Sequence, residues 1–355
     1  MDKSTLKKIS WQQKWGKIQA KHVKLLVLIA ALFYAIYNTF DGYLMQKQLP
    51  DTSDPYVKIL TYLTLGGIYG TLLQSLLSFT PLGTVVDSNH KKDSMKELLT
   101  LGNIVTGAVA GLLAASATAL YLWGNLNYDP AIMTALAGCT VFFVILIEVL
   151  FEHANFKTML KPAGFVFAGT FLIVIVGMDK ESIRLKDIVL VIVVILFARN
   201  LLSAIEEVLS KKGVLKTNAT SFSVLRFFWL AVFGVLGALF YTLATDQFGE
   251  YLQTLAKAIT NIKTMLYITL TMTLVFLGQG WKQYAKKSEG VSVSMVIMLF
   301  SVSVFFGLIA TVIANELVTG GYKTVPMSTL SWIARIVGTL VLFQGINLAT
   351  KIHYK

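Results

Sequence analysis

Residues Ala117 to Glu152 read ATALYLWGNLNYDPAIMTALAGCTVFFVILIEVLFE. Two apolar segments, each near the ~20 residues that cross a bilayer core, meet at a polar corner from Gly124 to Pro130. The stretch predicts a transmembrane helical hairpin. The first arm and the residues before it are rich in small side chains (Gly107, Ala108, Ala110, Gly111, Ala114, Ala115). Such residues let helix backbones approach closely in lipid, where packing replaces the hydrophobic drive between helices. Asp129 and Pro130 supply an N-cap and a first helical residue for the return arm. Glu152 closes it, and a short polar link leads to a fresh apolar run from Pro162 to Met178.

Composition points the same way. Of the 355 residues 55% are hydrophobic and 14% charged, with a mean hydropathy of +0.67. A soluble fold of that composition would expose too much apolar surface. The net charge of +12 comes from Lys and Arg scattered over short loops, which speaks for membrane orientation and against a nucleic-acid-binding stripe. The hydropathy pattern predicts spans at approximately 24–44, 57–79, 99–122, 130–151, 162–178, 187–209, 220–244, 265–281, 291–315 and 328–349. Ten crossings put both termini on one side. Of the 31 Lys and Arg, 20 fall on that side and 8 on the other, with Arg199, Arg226 and Arg335 inside spans. Both ends are therefore expected in the cytosol, with the chain in the plasma membrane.

Residues 1–23 form a lysine-rich segment with Trp11, Trp15 and Ile18 at helical spacing. The expectation is a cytosolic interfacial helix with its aromatics dipping into the headgroups, and not a cleaved signal. A second amphipathic helix is expected at 246–263, on the outer side. Phe248, Tyr251, Leu252, Leu255, Ile259 and Ile262 share one of its faces, as a brace or lid for a cavity mouth.

The order of elements around the first hairpin, a small-residue helix ending in an aromatic, a turn, an Ala-rich helix closing on Glu152 and a Gly-containing helix, resembles the EamA type of the drug/metabolite transporter superfamily. The second half follows the same order. Gln279 to Glu289 forms a corner, Val291 to Leu317 an apolar helix closing on Glu316, and Ile333 to Leu348 a last helix with Gly338 and Gly345. Members of the family often carry a proline about three turns before each Glu. Here Cys139 and Ser303 hold that region, so nothing in it enforces a kink. The expected fold is thus an all-α integral membrane protein of ten transmembrane helices, arranged as two inverted five-helix repeats, 24–178 and 179–355. An odd number of spans per repeat inserts the halves in opposite orientations and puts a substrate site near mid-membrane between them. The resemblance also implies that the corners Gly124 to Pro130 and Lys282 to Gly290 act as gates, with glycine as the hinge residue.

Enzyme chemistry finds little support. His22, His90, His153 and His353 fall at predicted span ends without metal-ligand spacing. Cys139 is alone, there is no P-loop lysine motif, and no bound cofactor or metal is implied. The informative residues are ionisable groups inside spans, where an unpaired charge is costly and normally faces a protein interior or a wet cavity. Arg199, about the middle of span six, is the deepest. Glu206 follows two turns later on the same face, and Arg226 and Glu148 are expected at similar depth. Either Arg199 holds an anionic substrate group while Glu148 or Glu206 binds a proton or balances charge, or these residues form a static ion-pair network. Tyr34, Tyr37 and Asn38 share a face of span one, with Asn38 suited to orient a polar ligand. Tyr121 ends span three beside Trp123, which fits the interfacial belt. Gln279 and Trp281 lie near an inner gate, Asp41 at a headgroup or outer gate, and Glu207 at the solvated boundary. Arg335 sits on span ten, which the resemblance implies packs at the periphery or in a homodimer contact.

These residues lead to a secondary-active transporter for a small polar organic metabolite, amino acid or organic anion, with a proton or counter-substrate as coupling partner. A non-transporting membrane assembly or receptor protein on the same frame, or a lipid flippase, is the alternative. A chamber with Arg199 open to it separates the first reading from a sealed core with Arg199 paired.

Overall fold

Capping side chains set where several of the helices start. The structure is a computed structural model and describes residues 3–91, 98–151, 156–177, 192–317 and 329–351. Among these residues all regular structure is helical. Helix α1 covers Lys3–Lys21, α2 Val23–Tyr43 with a π-helical extension Leu44–Gln48, α3 Pro55–Ser78, α4 Pro81–Val86 and α5 Leu101–Asn127. There follow α6 (Pro130–Gly138), α7 (Thr140–Phe151), α8 (Phe156–Gly177), a π-helical segment Ile192–Arg199 running into α9 (Asn200–Lys216), and α10 (Ala219–Ala244). The chain continues with α11 (Phe248–Thr260), α12 (Ile262–Lys286), α13 (Val293–Phe300), α14 (Ser303–Leu317) and α15 (Thr329–Thr350). Asp54 before Pro55 and Asp129 before Pro130 each accept the N–H two residues on. Asn218, Asn261 and Ser292 do the same for the N–H three residues on at α10, α12 and α13. Each cap satisfies one of the donors a helix start leaves free.

Seven helical stretches are long and apolar enough to cross a bilayer: Val23–Gln48, Pro55–Ser78, Leu101–Asn127, Pro130–Phe151, Ala219–Ala244, Ile262–Lys286 and Val293–Leu317. Trp332–Leu348 is a shorter apolar helix. This fits an all-α, multi-pass membrane protein. Predicted spans five and six correspond to α8 and to residues 192–216, which are helical. Glu152, His153, His353 and the stretches 178–191 and 318–328 lie outside the described residues.

The two ends of the bundle are each laced by polar contacts. At one end, called lower here, Asp87 accepts from Ala219 N at 2.7 Å and pairs with Lys287 at 2.6 Å. Close by, the His90 ring lies 3.0 Å from Ser78 O and 3.2 Å from Asn218 Oδ1. At the upper end Tyr241 donates to Asp54 at 2.6 Å, and Gln46 donates to Asn125 O at 2.7 Å and Tyr128 O at 3.1 Å. The latter pair ties the π turn of α2 to the α5–α6 corner.

That corner is tighter than the sequence suggests. Gly124 is not part of the turn, because α5 continues to Asn127 and only Tyr128 and Asp129 separate the helices. Glycine is needed there for close approach, since a Cβ would stand 2.3 Å from Met133 Sδ. Pro130 packs its ring against Gly42 of α2, where a Cβ would meet Cγ at 2.4 Å. In the opposite hairpin α12 runs on to Lys286, and Gly290 takes φ +70°, the left-handed region that favours glycine.

Two crossings break without a proline at the break. The fourth crossing breaks at Cys139 between α6 and α7, and the last of the seven breaks at Ser301–Val302 between α13 and α14. Thr140 Oγ1 donates to Ala137 O at 2.7 Å and Ser301 Oγ to Ile297 O at 2.9 Å. Such hydroxyl back-bonds compete with the helical ladder and bend helices.

In the bundle α2 packs on α12, α13 and α14, while the π segment and α9 pack on α5, α6 and α7. Helix α3 lies along α10, which also contacts α5, and α8 lies along α15. The last pair is close enough that a Cβ on Gly169 would fall 2.4 Å from Gly338 O, the small-residue packing expected in lipid.

Two amphipathic helices depart from expectation. Trp15 and Gln19 of α1 donate to Val85 O at 3.1 and 2.8 Å, and Gln19 Oε1 accepts from Ser88 N at 3.0 Å. Trp15 thus faces α4 rather than headgroups, whereas Trp11 and Ile18 stay exposed. In α11 the expected apolar face is divided. Tyr251 turns inward and donates to Thr64 at 3.0 Å, while Leu252, Ile259 and Ile262 remain exposed. Ser53 N and Oγ hold Glu250 at 2.6 Å each, so α11 braces the upper end of α3 and keeps an apolar edge outward.

Candidate functional site

Positions 34, 37, 38 and 41 return to one side of α2 every three or four residues. Tyr34, Tyr37, Asn38 and Asp41 accordingly line one wall of a central cavity of about 120 Å³. Thr118 and Tyr121 of α5, Thr140 and Ser301 at the two helix breaks, Arg199 with Ser203, Glu206 and Glu207, Arg226, and Gln279 with Lys282 form the rest. A second cavity of about 100 Å³ adjoins it and shares Tyr37, Asp41, Thr118, Arg226 and Gln279.

Arg199 dominates the first cavity. It is 9% exposed. Its guanidinium donates to Asn200 Oδ1 at 2.8 Å and Thr140 Oγ1 at 3.0 Å, reaches Tyr34 OH at 3.5 Å, and lies 5.4 Å from the centre of the Tyr121 ring. Its Nε has no hydrogen-bond partner, and Arg199 makes no ion pair among the described residues. The neutral neighbours are themselves fixed, since Asn200 Nδ2 donates to Leu136 O at 2.8 Å. The last turn of α6 and the start of α7 thereby hold the cation in place. Asn38 Nδ2 is a second buried donor without a partner.

The other deep cations around the cavity each touch a carboxylate, although two lysines share one. Arg226 Nε pairs with Glu206 at 2.7 Å, and Ser210 donates to the same carboxylate oxygen at 2.6 Å. Lys282 and Lys286 both pair with Glu207, and Lys282 Nζ also sits 4.3 Å from the centre of the Phe300 ring. Glu207 is therefore buried in an ion cluster and not solvated as its place near a span end suggests. Two lysines one turn apart on α12, opposite adjacent glutamates on α9, were the available signal. They went unread because the partners are 75 residues apart in sequence.

Asp41 is the other surprise. It is buried, lines both cavities, and accepts a hydrogen bond from Tyr62 OH; among the described residues it makes no ion pair. Its helical register with Asn38 and Tyr34 was the clue. Its closeness to the predicted span end leaves a headgroup and an outer gate equally open.

The remaining predicted residues divide. Tyr34 stacks edge-on with Tyr37 at 5.0 Å between ring centres, and Tyr121 OH lies 3.4 Å from Thr134 Oγ1. Gln279, expected near an inner gate, donates to Tyr37 OH at 3.1 Å and lines both cavities. Glu148 does not reach the chamber. Its carboxylate accepts Val293 N at 2.7 Å and Ser294 N at 3.2 Å, a capping position favoured by the partial positive charge of a helix start. Gly124 and Pro130 shape the upper corner, and Glu316 is exposed at the end of α14. Arg335 is buried beside an apolar groove between α14 and α15, away from the chamber. Among the described residues no group of three His, Cys, Asp or Glu side chains is arranged to hold a metal ion.

The arrangement is suited to binding an anion. A fixed guanidinium without an ion-pair partner among the described residues and an amide donor line one space, and the Asp41 carboxyl lines it too. No protein-family model matches the chain, and no curated protein matches its sequence. A solved crystal structure, described only as that of a protein, is similar in fold with a TM-score of 0.56 at 16% identity, over 92% of this chain and 95% of that one.

Proposed function

We propose that the chain is a secondary-active transporter of the drug/metabolite type that carries a small organic anion, with carboxylate preferred over phosphate, by alternating access. Arg199 is the observation that carries this reading. Burying a charge without a counter-ion costs several kcal/mol, and three neighbouring cations touch a carboxylate, two of them sharing Glu207, while Arg199 has none among the described residues. A site that keeps its cation unpaired gains that energy back when an anion enters.

An inverted repeat of two five-helix units is supported by the packing. Let the first to fifth crossings (α2, α3, α5, α6–α7, α8) exchange with the sixth to tenth (192–216, α10, α12, α13–α14, α15). The contacts of α2 with α12 and with α13–α14 then become those of 192–216 with α5 and with α6–α7, while the pairs α3–α10 and α8–α15 map onto themselves. The two broken crossings also correspond, and both breaks line the chamber. In this reading the lower end is cytosolic, as the lysine distribution requires. Asp41 takes the role of proton carrier, with Tyr62 bonded to it and Tyr37, Gln279 and Arg226 around the shared wall.

Purified protein in proteoliposomes tests the proposal. With an inward proton gradient, labelled amino acids, hydroxy acids and sugar phosphates are offered in turn. We expect gradient-driven accumulation of at least one carboxylate. In Asp41→Asn that accumulation disappears while exchange of the same solute persists. Flux no greater than in protein-free vesicles for every anion would overturn it.

A further inference from the structure

The second cavity is built differently from the first. Leu63 of α3, Phe227 and Leu230 of α10, and Met272 and Val275 of α12 form its walls, and it narrows toward the first chamber at Tyr37, Asp41, Thr118, Arg226 and Gln279. The space exists because α3 presents Gly66 and Gly67 to it. A Cβ on Gly66 would lie 3.2 Å from Met272 Cε, whereas one on Gly67 would lie 2.9 Å from the Ala231 Cα of α10. Gly67 therefore serves helix packing, and Gly66 keeps volume open beside a flexible methionine.

We infer that the two cavities form one bipartite site, in which Arg199 takes the carboxylate of a monocarboxylate and the second cavity takes its compact apolar side group. This rests on the transporter reading above and adds the class of substrate. The two spaces adjoin along the side chains of Tyr37, Asp41, Thr118, Arg226 and Gln279, so an occupant anchored on Arg199 reaches the apolar part past these five residues alone. Size limits the group: a cavity of ~150 Å³ accepts a benzene ring, so a space of about 100 Å³ takes a branched four-carbon group. Thr271 Oγ1 is buried there without a partner, which leaves one hydroxyl for a side group that carries a single polar atom.

Calorimetric titration of the full chain in detergent, corrected against empty micelles, tests this with acetate and 4-methylpentanoate. Each buried CH₂ contributes a roughly fourfold gain, so 4-methylpentanoate is expected to bind on the order of 30-fold or more tightly than acetate. Gly66→Ala narrows the cavity and should reduce that ratio by about tenfold. If it fails to give a monodisperse protein, Met272→Phe fills the same space. Arg199→Gln should weaken both ligands together and leave the ratio standing. Equal affinity for the two acids in the wild-type protein would overturn the bipartite site while leaving the anion site intact. Failure of every carboxylate to bind would remove both. Recovery of a co-purified acyl chain that Gly66→Ala displaces would assign the second cavity to lipid and also overturn the proposal.

Discussion

Arg199→Gln is expected to cut carboxylate uptake in proteoliposomes by about 10- to 100-fold while leaving the protein as stable as before, or more so. The size follows from the charge-assisted hydrogen bonds an anion would make to the guanidinium, each worth about 1.5–3 kcal/mol. The stability half is the stricter test. Removing one partner of a buried ion pair strands the other, but Arg199 has no carboxylate partner to strand; its neighbours Thr140, Asn200 and Tyr34 are neutral. Glutamine keeps a donor for Asn200 and Thr140 and removes the cost of the buried charge. Arg199→Lys should restore only part of the uptake, since an ammonium cannot present two parallel donors to a carboxylate. Both variants are read by uptake rate together with thermal unfolding. A large loss of folded protein in Arg199→Gln would assign the residue a structural role.

Glu207→Ala is expected to do the reverse. It leaves the ammonium groups of Lys282 and Lys286 buried without a counter-ion, and breaking such a cluster costs about 3–5 kcal/mol. The midpoint of unfolding in detergent should fall markedly. The triple variant Glu207→Leu, Lys282→Met, Lys286→Met removes the whole cluster and should recover most of the loss, because burying apolar groups of similar volume avoids the desolvation of three charges. If the single variant unfolds no more easily than wild type, Glu207 is wetter than its place between α9 and α12 implies.

The contrast between these two sites explains what could be read from the chain. Membrane spans and their starts follow from local chemistry: apolar length, an Asp before a Pro, a small-residue stripe. The Asp129–Pro130 start is legible for that reason. Which charges cancel depends on distant residues. Arg226 and Glu206 are 20 apart and Lys282 and Glu207 are 75 apart, so the sequence offers an ion-pair network among the deep groups without saying which residues pair, and leaves Lys282 and Glu207 outside it. Glu148 illustrates the same limit, as its partners are the backbone donors of Val293 and Ser294, which no side-chain pattern announces. The span end predicted near Asp41 leaves a headgroup or a gate partner open, whereas α2 continues as a π turn to Gln48 and Asp41 is buried inside the protein. The helix breaks at Cys139 and Ser301 were hidden because hydroxyl back-bonding takes the place of the proline that usually signals a kink.

The idea that the central chamber opens in turn to each side of the membrane can be tested without knowing the solute. In a Cys139→Ala background, Thr118→Cys places one thiol on the wall common to both cavities. Oriented vesicles are treated with a membrane-impermeant thiol reagent from one side or the other. Alternating access predicts labelling from each side in separate experiments. A thiol that reacts from one side only, however long the exposure, would contradict it.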